Sequence, residues 1–302
     1  MHQTVQGKPL IFPVASGKGG TGKSTFVANF GALLASRGLD VVIVDCDFGG
    51  SNLHLFLNVQ NTLPNLSHYL SREESNLSNL VLSTGISSLK IICGGNEMVG
   101  ISPMSEEFRN RLIEDISFLN ADVILIDLGA GTSSLILDLF LSKMRGIVIC
   151  NPEPQSRVSA YGLLKNIIFR HISNQCGDID ALQTALTNFL LGPARKNGRI
   201  LDLLDSIMKI DSDICDKIIK DVEKFDFCLV LNRFRKRADI HDFERFNRLI
   251  LNYLSIKLEM IGFIRSDRAV YESSFTRDLF LLNAALSPAS NDLRRIKQKR
   301  FM

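Results

Sequence analysis

The sequence predicts an α/β protein: a doubly wound, mostly parallel sheet with a small helical insertion. Three observations lead there. Short, almost continuously apolar runs recur along the chain, as in strands covered on both faces. Stretches of helical spacing lie between them, which implies right-handed βαβ crossovers. A glycine-rich loop joins the first run to the first helix. In such folds ligands bind at the carboxyl ends of the strands, so the polar residues found there carry the function.

The first run is Leu10 to Ala15. Residues 17–25 follow as Gly-Lys-Gly-Gly-Thr-Gly-Lys-Ser-Thr, and Gly17 to Ser24 fits the phosphate-loop pattern G-x-x-x-x-G-K-[ST]. Successive backbone N–H groups must converge on anionic oxygens. That demands residues without Cβ where the chain bends, here Gly17, Gly19, Gly20 and Gly22 around Thr21. A helix starting near Ser24 points its positive end at the same phosphates. Lys23 supplies a cation to the β- and γ-phosphates, and the Ser24 hydroxyl is placed to ligate Mg²⁺. Phe26, Phe30, Leu33 and Leu34 keep the helical period, and Gly38 stops it. A second lysine, Lys18, stands on the loop's rim, where it could reach phosphates across a dimer interface.

Further strand-like runs are 41–44, 89–93, 123–126, 147–150, 227–231 and 260–264. Two finish in aspartate: Val44-Asp45-Cys46-Asp47 and Ile126-Asp127-Leu128-Gly129. A strand-end Asp beside a phosphate loop holds Mg²⁺, usually through water, and Asp127 suits that role. Gly129 could sense the γ-phosphate through its N–H. Asp45 and Asp47 alternate in extended chain, so one can face metal-bound waters and the other the attacking water. From His171 to Lys224 no strand-like run occurs, and three apolar stripes at helical spacing mark a helical insertion over 171–224 in an otherwise single domain, 1–302. Its basic loop, Gly192 to Arg199, is rich in turn formers.

Composition sets outer bounds. The chain has 302 residues, 45% hydrophobic and 22% charged, with a formal charge of +3, which points neither to nor away from a polyanion. Six scattered cysteines form no C-x-x-C pair and suit buried thiols in a reducing compartment. No stretch reaches the roughly 18–20 apolar residues of a membrane span, and Met1 to Pro9 has no signal-peptide core. A cytoplasmic protein, at most attached to a membrane surface, is expected.

These motifs resemble the MinD/ParA family of deviant-Walker-A ATPases, nearest its MinD and flagellar-positioning branch. Lys18 to Thr25 matches K-G-G-x-G-K-[ST]-[ST]. Asp45 to Leu53 matches D-x-D-x-G-x-x-N-L, and Ile126 to Gly131 matches the family's Walker B and second switch. Asn151-Pro152-Glu153-Pro154, Asn232-Arg233 and Ile261 to Asp267 resemble later motifs. The likeness covers about residues 8–170 and 225–288.

The resemblance implies a P-loop NTPase fold of the SIMIBI type and an ATP- and Mg²⁺-dependent homodimer that sandwiches two nucleotides. Lys18 would cross to the partner's phosphates in the manner of an arginine finger. Asp47 would orient the hydrolytic water, with Asp45 supporting the switch. Thr25 would contact the α-phosphate and Asn232 the adenine edge. Hydrolysis would release the switches and the dimer, so that a slow ATPase positions or regulates a division site, flagellum, chromosome or other cargo through an activating partner.

The chain also departs from the family pattern. Arg265 replaces a proline of the base wall. The basic stretch 289–302 reads as a solvated charged end ahead of a peripheral membrane contact. Arg233, Arg235, Lys236 and Arg237 form a patch for which non-specific DNA binding ranks lower still. The rival to a hydrolysing switch is a nucleotide-binding scaffold with negligible turnover. An iron–sulfur carrier lacks its C-x-x-C, and a tyrosine kinase lacks its clustered tyrosines.

Overall fold

The apolar runs become the strands of one sheet because each is buried on both faces. In the computed structural model the described residues are 8–48, 50–95, 105–192 and 198–301. Among them the strands are β1 (Leu10–Ser16), β2 (Val41–Cys46), β3 (Leu82–Ser83), β4 (Leu89–Ile92), β5 (Val123–Ala130), β6 (Arg145–Cys150), β7 (Asp226–Phe234) and β8 (Glu259–Arg265). Their spatial order is β3-β4-β2-β5-β1-β6-β7-β8. All neighbours are parallel except β3 and β4. The antiparallel edge β3 is two residues long, too short to stand out as an apolar run. Pro13, in central β1, has no N–H to give, and pairing of β1 with β6 begins only at Val14.

The helices are α1 (Lys23–Ala35), α2 (Leu53–Phe56), α3 (Leu66–Leu70), α4 (Glu106–Ile116), α5 (Ser134–Leu141), α6 (Pro154–Cys176), α7 (Asp180–Leu191), α8 (Ile200–Met208), α9 (Ser212–Glu223), α10 (Arg237–Leu254), α11 (Arg268–Thr276), α12 (Phe280–Asn283) and α13 (Pro288–Arg294). Alternate strand residues serve opposite faces. Phe12, Val14 and Ile43 pack on Phe26, Phe30 and Leu34 of α1, together with α12 and α13. Ile11, Ala15 and Val44 join the layer formed by α4, α5, α6 and α10. Among the described residues no helix is long and apolar enough to cross a membrane.

One expected boundary moves. His171 is not where an extra segment begins: α6 runs on to Cys176, and the additional helices α7 to α9 follow Gly177. Leu182, Leu186, Leu203, Ile207 and Ile218 are buried as their spacing implied, whereas Leu190 and Met208 remain exposed. Residues 193–197 of the basic loop lie outside the described residues.

The stretch 289–302 is not a free charged end. Leu293, Ile296 and Phe301 are buried, and the Phe301 ring lies 4.4 Å from that of Phe12 and 4.8 Å from that of Phe30. Arg300 pairs with Asp226 and Glu259. Helix, turn and 3₁₀ turn follow one another here, so the apolar residues show no single period and the cations dominate the sequence.

His171 packs against α9 and the short link between that helix and β7. Its Nε2 lies 3.7 Å from Asp221 Oδ2, and its ring meets Phe225 edge-on at 5.2 Å. Burial holds its pKa below the usual 6.5, with Lys217 adding to the effect; the Asp221 carboxylate opposes them and loses. The unfolded imidazole therefore binds a proton that the folded one refuses. This contribution to stability is complete above about pH 6.5 and is lost as pH falls through and below it. Thermal melts at pH 7.5 and 5.0 should show wild type losing more stability on acidification than His171→Phe; equal losses would refute this. Phe301→Ala should cost about 3–5 kcal/mol, read as a lower urea midpoint.

Candidate functional site

The loop between β1 and α1 takes its shape from three glycines with different tasks. Gly20 and Gly22 hold left-handed backbone, with φ of 77° and 87°. Gly17 lies against α6, where a Cβ would stand 2.1 Å from the Ser159 carbonyl. Gly19 is exposed, and a Cβ there would meet nothing. Gly22 caps α1 without any side-chain bond, and no acidic residue occupies the first turn. The helix thus leaves its first N–H groups for an anion.

Lys23 is 6% exposed and its Nζ lies 2.5 Å from Asp127 Oδ1. The second carboxylate oxygen of Asp127 and the Thr21 hydroxyl are buried with no hydrogen-bond partner. Burial raises the Asp127 pKa, while the Lys23 ammonium and the Ser24 hydroxyl draw it back. Ser24 and Thr25 are half-buried at the start of α1. An orphaned carboxylate oxygen beside a serine hydroxyl is the hard-oxygen donor set that fits Mg²⁺ and its waters.

Asp45 sits beside Asp127 in register on the neighbouring strand. Its oxygens accept from the Asp47 N–H (3.1 Å), the Ser51 hydroxyl (2.7 Å) and the Leu53 N–H (3.4 Å). Asp45 therefore shapes the loop after β2. Burial first, then repulsion from Asp127, pushes its pKa up to about 7. Asp47 is half-buried, and a Cβ on Gly129 would stand 3.2 Å from its Oδ1. Asp47, Phe48, Arg109, Gly129 and Ser133 line a cavity of about 390 Å³. Gly49 lies outside the described residues. Lys18 is half-buried on the rim, and its carbonyl accepts from the Ser16 hydroxyl at 3.0 Å.

Asn232, at the end of β7, donates from Nδ2 to the Thr21 carbonyl at 2.8 Å, and its Oδ1 accepts the Arg233 N–H at 3.0 Å. A second amide converges there. With its nitrogen turned toward the carbonyls, Asn151 donates to Thr21 O (3.1 Å) and Asn232 O (3.3 Å). The ends of β6 and β7 thus both grip the phosphate loop. Asn151 and Ser51 were not among the predicted site residues; their strand-end and switch positions were the available signal. Arg265 is tied down within the fold: its guanidinium makes bonds of 2.6 and 2.8 Å to Asp292, joining β8 to α13.

Known proteins resemble this chain in sequence and in fold. The family model described as ParA, NUBPL iron-transfer P-loop NTPase, matches residues 9–174. The antiactivator FleN of Pseudomonas aeruginosa is 29% identical over 157 residues, 51% of this chain and 55% of FleN. A putative septum site-determining protein MinD of Oltmannsiellopsis viridis is 30% identical over 162 residues, 49% of this chain and 47% of that one. The chain spans about half the length of the curated relatives it matches. In three dimensions it resembles the septum site-determining protein MinD complexed with Mg-ADP from Pyrococcus horikoshii. The TM-score is 0.65 at 17% identity, covering 97% of this chain and 96% of that one. That likeness speaks for the fold, while the family match takes in more than half the chain and its phosphate-binding motifs: the chain belongs to the ParA family of P-loop NTPases, a family of ATPases.

Proposed function

We propose that the chain is a magnesium-dependent, ATP-binding and slowly hydrolysing switch whose nucleotide state sets homodimerisation and so positions or regulates a cellular structure. The observation that carries the reading is the buried Lys23–Asp127 pair beneath the uncapped start of α1, with one Asp127 oxygen and the Thr21 hydroxyl unpartnered. This set is organised for an anion and a hard cation together.

In this reading the loop N–H groups from Gly19 to Thr25 cradle the phosphates, with Thr25 at the α-phosphate. Lys23 shifts its ammonium from Asp127 to the β- and γ-phosphates. Ser24 and Asp127 hold magnesium, which when bound neutralises phosphate charge. Asp47 orients the attacking water beside the Gly129 N–H, where the γ-phosphate is sensed. Lys18, on the rim, reaches the nucleotide of the partner copy. Asn232 lies at the adenine side and also fixes the loop.

The names of the relatives, an antiactivator and a septum-site determinant, both suit a regulatory or positional cargo. The six described thiols are all buried, so none is presented for a shared metal cluster, which disfavours iron transfer. Leu293, Ile296 and Phe301 are committed to the core, so this stretch does not offer them as an apolar face to a membrane. Arg233, Arg235, Lys236 and Arg237 are exposed and keep a DNA contact as the lesser alternative. A cytoplasmic location follows from the reading.

Titration calorimetry tests the core of the proposal: ATP should bind with magnesium and lose about tenfold or more in affinity with EDTA. No magnesium-dependent binding would overturn it. Lys18→Ala should keep nucleotide affinity within a few-fold while abolishing the ATP-dependent dimer in light scattering. Asp47→Ala should trap that dimer with ATP bound; normal turnover in this variant would remove Asp47 from the water-positioning role and favour a scaffold.

A further inference from the structure

We infer that Arg233 is a nucleotide-binding residue that grips the nucleoside end of the bound nucleotide, the α-phosphate and what it carries. The inference rests on the nucleotide reading of the phosphate loop and adds to it a cation from outside that loop, next to Asn232.

Four observations converge. Arg233 has φ of 59°, left-handed backbone that a residue with a branched or long side chain rarely adopts. The conformation is held by Asn232, whose Oδ1 takes the Arg233 N–H at 3.0 Å. The result hangs the guanidinium over the phosphate loop: a methyl on Gly22 would stand 3.7 and 3.8 Å from its Nη2 and Nε. The side chain is exposed, and among the described residues no carboxylate pairs with it. The left-handed residue falls where β7 shifts register against β8, and this irregularity of the strand end aims an unpaired cation at the phosphate loop.

The sheet order says which end of the nucleotide it meets. β5, carrying Asp127, lies on one side of β1, and β6 then β7 on the other. Lys23 and Asp127 mark the magnesium and γ-phosphate end. Arg233 stands at the opposite end, past Asn232. A guanidinium there offers a charge-assisted bond to the α-phosphate and a planar face to the ring beyond it. The contact is made equally by ATP and ADP, so it retains nucleotide without discriminating the two states of the switch.

The test uses the full chain, Arg233→Ala and Arg233→Gly, with Mg-ATP and Mg-ADP titrated by calorimetry and a thermal melt of each protein. Glycine relieves the positive φ, so Arg233→Gly should melt at or above the wild-type temperature. Both variants should nonetheless bind both nucleotides about tenfold more weakly, by the same factor for each. Affinities within twofold of wild type in the stable glycine variant would overturn the assignment. So would a loss confined to ATP, which would place the contact at the γ-phosphate. A wild-type chain that binds neither nucleotide would remove the underlying reading instead, so the two failures are separable.

Discussion

The site depends on one buried ion pair, Lys23 with Asp127. Taking both charges out of water costs several kcal/mol per ion, and close contact offsets that only while both partners are present. Here they are almost fully enclosed, at 6% and 1% side-chain exposure, yet one Asp127 oxygen has no hydrogen bond. Asp45 sits in register on the adjoining strand and adds a second buried carboxyl. Two carboxyls against one ammonium leave the pocket short of positive charge. Asp45 relieves the imbalance through three bonds to the loop after β2 and a pKa raised to about 7. Asp127 is held by Lys23 and Ser24 but keeps one oxygen without a hydrogen bond, and that oxygen is the one a hard cation would take.

The loop around that pair is held from outside by backbone and amides as well as by its own glycines. α6 presses on Gly17, the two asparagines seize the Thr21 carbonyl, and Gly22 must lack a side chain because the Asn232 amide would stand 2.5 Å from it. A loop gripped in this way is preorganised, and its N–H groups need no rearrangement to meet an anion. The grip also couples three elements, since any shift of α6 or of the β7 end is felt at Thr21.

Much of this was legible in the sequence, because motifs of fixed spacing impose local geometry. The phosphate loop, the two strand-end aspartates and the parallel order of strands follow from residues that neighbour one another in the chain. What was not legible depends on contacts between distant residues. Asn151 and Asn232 lie 81 residues apart and meet only because β6 and β7 are adjacent. Phe301 finds Phe12 and Phe30 across nearly the whole chain, and no local period announces it. The helical stretch after residue 171 opens inside α6, because an absence of strand-like runs does not mark where one helix ends and the next begins.

Arg265 stands where the resembling pattern has proline, and it fixes the end of its strand by other means. A proline at the end of β8 would stiffen the chain covalently by fixing φ. Arginine cannot, but its fork reaches Asp292, whose Oδ2 also takes the Arg265 N–H at 3.1 Å. Two residues on, Asp267 accepts from the Ala269 N–H at the start of α11 and from the Ala289 N–H in α13. Asn29 of α1 accepts the Leu281 N–H, joining the same segment back to the phosphate-loop helix. The strand end is thus fixed by a closed circuit of side-chain to backbone bonds. Its rigidity is distributed over β8, α11, α12, α13 and α1 instead of residing in one ring. That circuit requires the chain after residue 280 to be folded against the core, which accords with Leu281, Leu293, Ile296 and Phe301 being inside while Arg294 reaches a carbonyl and Arg300 forms ion pairs.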